Sequence, residues 1–235
     1  MTRTLIAAFL SLALCGAGPK PQQLHIASIG IITALGDTCM FERVPDKPFE
    51  WIAPPEASFL EVSDWGIDDH VANTIASLLG RRYRVQSIPI EHQDFDTWTY
   101  RSLARRIREL PVPLTPVDAY LVVLRDWRVD EIGDSDHQVA GLGLYRRDRG
   151  ARKTRFGVFA SYRLVLADPD TGDVIASRPA LLPDGRLPWL PATPGLWPPT
   201  QNDLTQAQRR ALQSDFLELI HATLPRTLRQ LRLAD

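Results

Sequence analysis

The chain has 235 residues, of which 44% are hydrophobic and 23% are charged. These proportions are close to the globular average and argue against a disordered chain, a collagen, a coiled coil or a multi-span membrane protein. Its 27 Lys and Arg residues nearly balance 28 Asp and Glu residues, so the total charge argues against a nucleic-acid ligand.

The first 17 residues have the pattern of a secretory signal peptide. Arg3 precedes an apolar run over residues 5–15, and small residues and prolines follow. A run of roughly eleven apolar residues is too short to span ~30 Å of hydrocarbon as a helix. The pattern predicts cleavage after Ala17 and a periplasmic or secreted protein. No later stretch reaches the roughly 18 apolar residues of a membrane span.

Two other interpretations of this leader stay open. Cys15 is a candidate for lipidation, which would anchor the chain to the envelope, although Leu14 stands where the acylation motif has a small residue. The same apolar run is also compatible with an amino-terminal core helix. In either exported form Cys39 is left without a partner in the chain, and its apolar surroundings favour a small buried side chain over a nucleophile.

Strand and helix patterns alternate in the first half of the chain. Asp64 is a candidate N-cap for a helix whose apolar residues recur from Ile67 to Leu79. Strands are predicted at 24–35, 39–44, 49–53 and 83–90, and a second helix at 97–110.

Strand patterns cluster in the second half, at 119–124, 127–129, 139–145, 156–167 and 174–177. The run at 119–124 is apolar throughout, which is typical of a strand covered on both faces. A tight turn over 168–173 joins the last two strands as a hairpin. A long helix follows from Thr205, with Pro225 as an expected kink or break.

This order predicts an α/β (α+β) fold. We expect residues 18–235 to form a single layered domain in which helices pack on a mixed β-sheet, with a late β-hairpin and a carboxy-terminal helix. Residues 179–199 contain seven prolines and therefore cannot be a helix interior or a central strand. They form either a surface loop whose Trp189 and Trp197 dock on the core, or an extended segment that offers both rings to a partner.

Three acid and histidine clusters are candidates for chemistry. They are Asp68-Asp69-His70, His92 with Asp94 and Asp96, and His137 with Asp134 and Asp136. None has the spacing of a zinc helix or a calcium loop, and there is no nucleophile elbow or phosphate loop. We therefore predict no catalytic, cofactor-binding or metal-binding residue. A periplasmic hydrolase or metal-dependent enzyme that uses His70, His92 or His137 with nearby acids is the alternative.

Residues 146–155 carry six basic side chains between two predicted strands. These side chains are Arg146, Arg147, Arg149, Arg152, Lys153 and Arg155. They predict a basic hairpin that projects into solvent. Its charge either keeps strand edges from pairing or contacts an anionic partner, such as an acidic protein, a polyanionic envelope polymer or lipid headgroups.

Two segments carry a family resemblance. The first is the strand at 26–36 with the later helix at 69–79 and strand at 83–90. The second is the hairpin at 160–175, where a strand ends in Asp168 and Thr171-Gly172-Asp173 begins the return. They resemble the small α/β module of the curli-assembly lipoprotein, the lipoprotein activators of penicillin-binding proteins and the amino-terminal domain of TolB. Members of this group are mostly binding and assembly factors, so the resemblance implies no catalytic residue.

The expected function is therefore non-enzymatic. We expect an exported envelope protein that binds another protein or an envelope polymer through the basic hairpin, with Trp189 and Trp197 as a second contact. A self-assembling subunit is a further possibility that the sequence leaves open.

Overall fold

A curled mixed β-sheet with helices packed against it forms the fold, as seen in a computed structural model. The structure describes residues 25–44, 56–90, 98–110, 116–129, 138–148, 154–197 and 204–235. Within these ranges the strands are β1 Ser28–Ala34, β2 Thr38–Val44, β3 Glu56–Glu61, β4 Arg84–Ser87, β5 Ala119–Arg125, β6 Trp127–Val129, β7 Gln138–Arg147, β8 Arg155–Ala167, β9 Val174–Pro179 and β10 Trp189–Pro191. The helices are α1 Ile67–Leu79, α2 Leu103–Glu109 and α3 Gln206–Gln230.

Strand β8 is the longest strand and organises the sheet, whose main order is β3-β2-β7-β8-β5-β1-β4. One edge of β8 pairs antiparallel with β5 along 162–167 and with β7 along 155–161. Its other edge pairs with β9 and β10. Because β1 lies parallel to β5 and β2 lies parallel to β7, the turn between β1 and β2 falls beside the junction of β5 and β7.

A short two-stranded ribbon leaves the sheet at this junction. After Arg125 the chain stops pairing with β8, and β6 pairs instead with residues 138–140 of β7. Strand β7 joins β8 at Gly141, whose φ of +64° is one that side chains with a Cβ rarely adopt. A Cβ at Gly141 would also lie 3.1 Å from Cδ of Arg125.

The sheet is buried on both faces. Leu121 and Val123 on β5 face a core shared with α1 and α3, whereas Val122 and Leu124 face a second core shared with α2. This alternation explains the continuous apolar run at 119–124, and the predicted coverage of both faces is confirmed. The predicted fold class is also confirmed, with its mixed sheet, its packed helices, the β8–β9 hairpin and the carboxy-terminal helix.

Two local predictions were wrong and a third was wrong in part. Helix α1 begins after Gly66, because Asp64 lies one turn earlier in a separate 3-10 helix, Ser63–Trp65. The predicted helix at 97–110 is shorter, because Thr99 and Ser102 form a polar turn before α2 begins. Of the kink or break predicted at Pro225, the break does not occur, since α3 continues to Gln230, and the kink stays a prediction.

The leader with Cys15 and Ala17, and the predicted strand at 49–53, lie outside the described residues. In the part of the chain that the structure describes, no helix is both long enough and apolar enough to cross a membrane.

Candidate functional site

A cavity of about 570 Å³ opens where the ribbon leaves the sheet. It is lined by strands β2, β3, β5, β6 and β7 and by the segment before α2. This volume falls within the range of about 300–1,000 Å³ that is typical of ligand pockets. We call it the junction cavity.

Three aromatic rings at the junction cavity are open to solvent. Phe59 on β3 is 53% exposed, Tyr100 before α2 is 48% exposed and Trp127 on β6 is 63% exposed. Trp98, which also lines the cavity, is buried. Large apolar side chains at this exposure are uncommon as a cluster and mark interaction sites.

A partly buried ion pair supports one side of the junction cavity. The carboxylate of Asp126 accepts hydrogen bonds from Nε of Arg163 at 2.8 Å and from Nη2 at 3.3 Å. Arg163 also donates to Oγ of Ser177, and its guanidinium carbon lies 5.1 Å from the ring centroid of Tyr100. The cation therefore attracts the exposed tyrosine ring while it neutralises the aspartate.

Arg125 ties the opposite side of the junction cavity together. Its Nε donates to the backbone carbonyl of Leu35 at 2.5 Å, and its Nη2 donates to Oγ1 of Thr38 at 2.9 Å. The guanidinium lies over Gly36, whose φ is +91°, so the turn between β1 and β2 has space for it. One side chain thus connects the end of β5 to the turn before β2.

Part of the positive charge at the basic hairpin is paired with an acidic side chain of the same chain. Asp148 accepts from Nε of Arg146 at 2.9 Å and from Nε of Arg43 at 3.1 Å. Burial raises the pKa of Asp148, but these two guanidiniums outweigh it and hold the pKa below its ordinary value. Arg155 is exposed. Arg147 is only 7% exposed, so the prediction that its side chain projects into solvent was wrong. Arg149, Arg152 and Lys153 lie outside the described residues.

The two tryptophans of the proline-rich segment both contact the sheet. Trp189 pairs with Phe159 and covers Gly157, where a Cβ would lie 2.8 Å from the indole. Trp197 packs edge-on against Phe41 at a centroid distance of 5.8 Å.

Trp197 also brings the two predicted contact surfaces together. The guanidinium carbon of Arg146 lies 5.9 Å from the ring centroid of Trp197 and 5.4 Å from that of Phe156. The base of the basic hairpin and the proline-rich segment therefore form one surface, which is separate from the residues that line the junction cavity.

Of the three predicted histidines, only His70 lies in the described residues. Its Nε2 is 2.8 Å from Nε2 of His221 on α3. The nearby Asp68 accepts hydrogen bonds from the backbone amides of Leu35 and Gly36, and burial raises the pKa of its carboxyl group above the ordinary value. Among the described residues, no group of three or more His, Cys, Asp or Glu side chains could hold a metal ion.

Cys39 is buried, and burial raises the pKa of its thiol far above the ordinary value. A thiol that stays protonated is a poor nucleophile. The interpretation of Cys39 as a small buried side chain is therefore confirmed.

Phe59, Tyr100 and Trp127 were not predicted from the sequence as site residues. The one signal available was Trp127, which stands between Asp126 and Arg128 in a short strand pattern and so has no apolar neighbour in sequence. Nothing in the local sequence distinguishes Phe59 from a buried phenylalanine, because its exposure follows from its place on the edge strand β3.

Comparison with known proteins assigns no family. No family model and no curated protein matches the chain. Among solved structures, it is similar to the lipoprotein GNA1162 from Neisseria meningitidis, at 12% identity and a TM-score of 0.32, over 83% of this chain and 98% of the other.

Two further solved structures are similar at the same level. Protein XCC0632 from Xanthomonas campestris, of family DUF330, has 12% identity and a TM-score of 0.34 over 91% of this chain and 93% of its own. A neuraminyllactose-binding hemagglutinin homologue from Helicobacter pylori has 14% identity and a TM-score of 0.30 over 88% and 89%. Likeness at this level assigns neither a family nor an activity.

Proposed function

We propose that this chain is an exported protein of the bacterial envelope that acts by binding another protein, without catalysing a reaction. The observation that carries the proposal is the group of three exposed aromatic rings around the junction cavity. The pattern of residues 1–17 supports export, either to the periplasm or with a lipid anchor at Cys15.

The composition of the junction cavity favours a protein partner. Trp, Tyr and Arg are the residue types that dominate the energetics of protein interfaces, and they do so around pockets that lose water on binding. Trp127 and Tyr100 can enclose an apolar side chain of the partner. Arg125 and Asp126 offer polar atoms beside the same pocket.

The walls of the junction cavity are held in place before binding. The Asp126–Arg163 ion pair supports the Tyr100 side, and Arg125 fixes the turn that leads into β2. Ordering a loose site would reduce affinity, and a site that is already ordered avoids that cost.

A site-specific cross-linking experiment tests this proposal. A photoreactive residue replaces Val129, which is exposed on the ribbon, or Val174, which is exposed on β9 as a matched control. We expect a defined partner to cross-link from position 129 in the native envelope and not from position 174. The partner is then purified, and its Kd is measured with the wild-type chain and with variants.

We expect Trp127→Ala and Phe59→Ala each to weaken binding at least tenfold, which corresponds to about 1.4 kcal/mol. Leu78→Ala removes a similarly exposed apolar side chain from α1 and should leave the Kd unchanged. Equal Kd values for wild type and both aromatic variants would refute the proposal, as would equal cross-linking from both positions.

We also propose that the basic hairpin contacts an anionic group, on the partner or on a polyanionic envelope polymer. The exposed Arg155 and the Asp148 ion pairs that order the hairpin base support it. Changing Arg149, Arg152, Lys153 and Arg155 to Glu should lower the salt concentration that elutes the protein from an immobilised sulfated polysaccharide. Arg101→Glu in the turn before α2 and Arg108→Glu on α2 change exposed arginines and control for charge. Equal elution shifts per charge in both sets would contradict a local contact.

A further inference from the structure

Two imidazoles meet on the outer side of helices α1 and α3. His70 lies in the first turn of α1, and His221 lies near the middle of α3, 151 residues away in sequence. Their Nε2 atoms are 2.8 Å apart, and their ring centroids are 4.9 Å apart with the planes tilted by 51°. His221 is exposed and His70 is half-buried, so solvent reaches the pair.

Contacts near the pair hold α3 against the 3-10 helix Ser63–Trp65, which leads into α1. Phe216 on α3 packs against Trp65 at a centroid distance of 6.1 Å, and Nε2 of Gln213 donates to the backbone carbonyl of Trp65 at 2.8 Å. Oγ1 of Thr74 donates to the backbone carbonyl of His70. The backbones that carry the two histidines are therefore anchored independently of the imidazole contact.

The hydrogen bond between the rings restricts their tautomers. One Nε2 must carry a hydrogen and the other must offer a lone pair, so at least one ring is neutral with its hydrogen on Nδ1. A neutral donor ring can carry its hydrogen on Nδ1 instead of Nε2, and both Nε2 atoms then have lone pairs. Neutral rings thus become two nitrogen ligands with no net loss of a proton.

We infer that His70 and His221 form a binding site for a divalent transition metal, with Cu²⁺ as the preferred ion. Metal–imidazole bonds are ~2.0–2.1 Å long, so two ligands at a right angle stand ~2.9 Å apart and two at a tetrahedral angle stand ~3.3 Å apart. The observed 2.8 Å is near the right-angle value. The exposed His221 ring and the half-buried His70 ring need only to rotate until their lone pairs point at the ion.

Two imidazole nitrogens with water ligands favour Cu²⁺. Cu²⁺ and Ni²⁺ take tetragonal sites with nitrogen and oxygen ligands, and Cu²⁺ has the highest affinity of the divalent first-row ions. Since the described residues add no third His, Cys, Asp or Glu ligand, water completes the coordination. The site is therefore open, and it is independent of the junction cavity, which contains neither histidine.

Cu²⁺ titration of the full chain, expressed with its own leader and without a polyhistidine tag, tests the site. We expect one Cu²⁺ per chain by calorimetry, an electron paramagnetic resonance spectrum with two nitrogen ligands, and an affinity order of Cu²⁺, Ni²⁺, Zn²⁺. His70→Ala and His221→Ala should each weaken Cu²⁺ binding at least tenfold. The exposed His25 serves as control, and His25→Ala should bind like the wild type.

A folding measurement gives a second readout. A metal that bridges α1 and α3 binds the folded chain more tightly than the unfolded chain, so Cu²⁺ should raise the urea midpoint of the wild type and not of either variant. If an alanine variant fails to fold, His70→Gln or His221→Gln is measured in its place. Wild-type affinity in both His variants would overturn the inference. So would binding that appears only with dimerisation, because the site would then need the imidazoles of two copies.

Discussion

Single polar side chains hold together segments that are far apart in sequence. Arg125, at the end of β5, donates a hydrogen bond to the carbonyl of Leu35, which lies 90 residues earlier. The next residue, Asp126, accepts a hydrogen bond from Arg163 on β8. Both contacts are partly buried, where a hydrogen bond to a charged group is stronger than on the open surface. They stabilise the point where β6 leaves the sheet and the junction cavity opens.

The ion pairs of Asp148 predict a pH-dependent contribution to stability. Because the pKa of Asp148 is lowered in the folded chain, its contribution is complete above the ordinary pKa of about 4 and is lost as pH falls through the folded value. Asp148→Asn should therefore lower the free energy of unfolding by about 1 kcal/mol at pH 7. The difference from the wild type should shrink as the pH falls below about 4, as measured by urea unfolding.

Asp64→Asn removes an exposed carboxylate in the turn before α1 and controls for the change in net charge. A constant difference for Asp148→Asn from pH 7 down to pH 2 would contradict the role of the two arginines.

At the scale of the elements, helix α3 has a side-chain cap at its amino terminus, whereas α1 and α2 have none. Oγ1 of Thr205 accepts a hydrogen bond from the backbone amide of Gln208, while Oε1 of Gln208 accepts one from the amide of Thr205. Nε2 of Gln208 also donates to the carbonyl of Gly195. This reciprocal capping box both starts the helix and attaches the proline-rich segment to it.

Loss of the cap should weaken the whole chain measurably. Thr205→Ala removes the acceptor for the Gln208 amide, and we expect the free energy of unfolding to fall by about 1 kcal/mol. Thr205→Ser keeps the hydroxyl and should stay within about 0.5 kcal/mol of the wild type. Urea unfolding monitored by circular dichroism measures both. Equal losses in the two variants would show that the hydroxyl is not the stabilising group.

At the scale of the whole molecule, one sheet contributes to three buried hydrophobic clusters of the described residues, and β5 contributes to two of them. Strand β5 contributes alternate side chains to the core under α1 and α3 and to the core under α2. A defect on either face therefore weakens the strand that both faces share. We expect the described parts of the chain to unfold in one cooperative transition.

Phe216→Ala tests this coupling. Phe216 is fully buried against Trp65, and its truncation should cost about 3–5 kcal/mol. Circular dichroism and tryptophan fluorescence should still give the same midpoint, only lower. Phe59→Ala removes the same atoms from an exposed site and should leave the midpoint near that of the wild type. Separate midpoints for the two probes in Phe216→Ala would contradict a single cooperative unit.

Much of the fold could be predicted because its signals are local. The alternation at 156–167 and the turn chemistry of Asp168 to Asp173 are properties of neighbouring residues, and β8 and β9 form the expected hairpin. The helix over Ile67 to Leu79 has the predicted bounds, since its apolar spacing repeats with the helical period. The N-cap of this helix was predicted wrongly, because the Asp64 carboxylate has the chemistry of a cap. Only the backbone shows that Gly66 is the N-cap residue.

The candidate site could not be predicted in the same way, because exposure depends on where a strand lies in the sheet. Phe59 and Phe216 both stand in apolar patterns, yet one is on an edge strand at the junction cavity and the other is in the core. Arg147 belongs to a basic run and is nevertheless buried. Each outcome follows from the neighbours that distant segments supply.

The amino-acid sequence by itself determined the balance of charge, the two-sided burial of β5, the late hairpin and the fold class, because composition and periodicity act over short stretches of chain. Only the tertiary structure decided how the side chains are arranged within a chain of nearly zero net charge. It brings together an ordered arginine network, an aromatic cavity and the His70–His221 pair. Those features join residues up to 151 positions apart, and such contacts depend on strand register and helix packing rather than on local pattern.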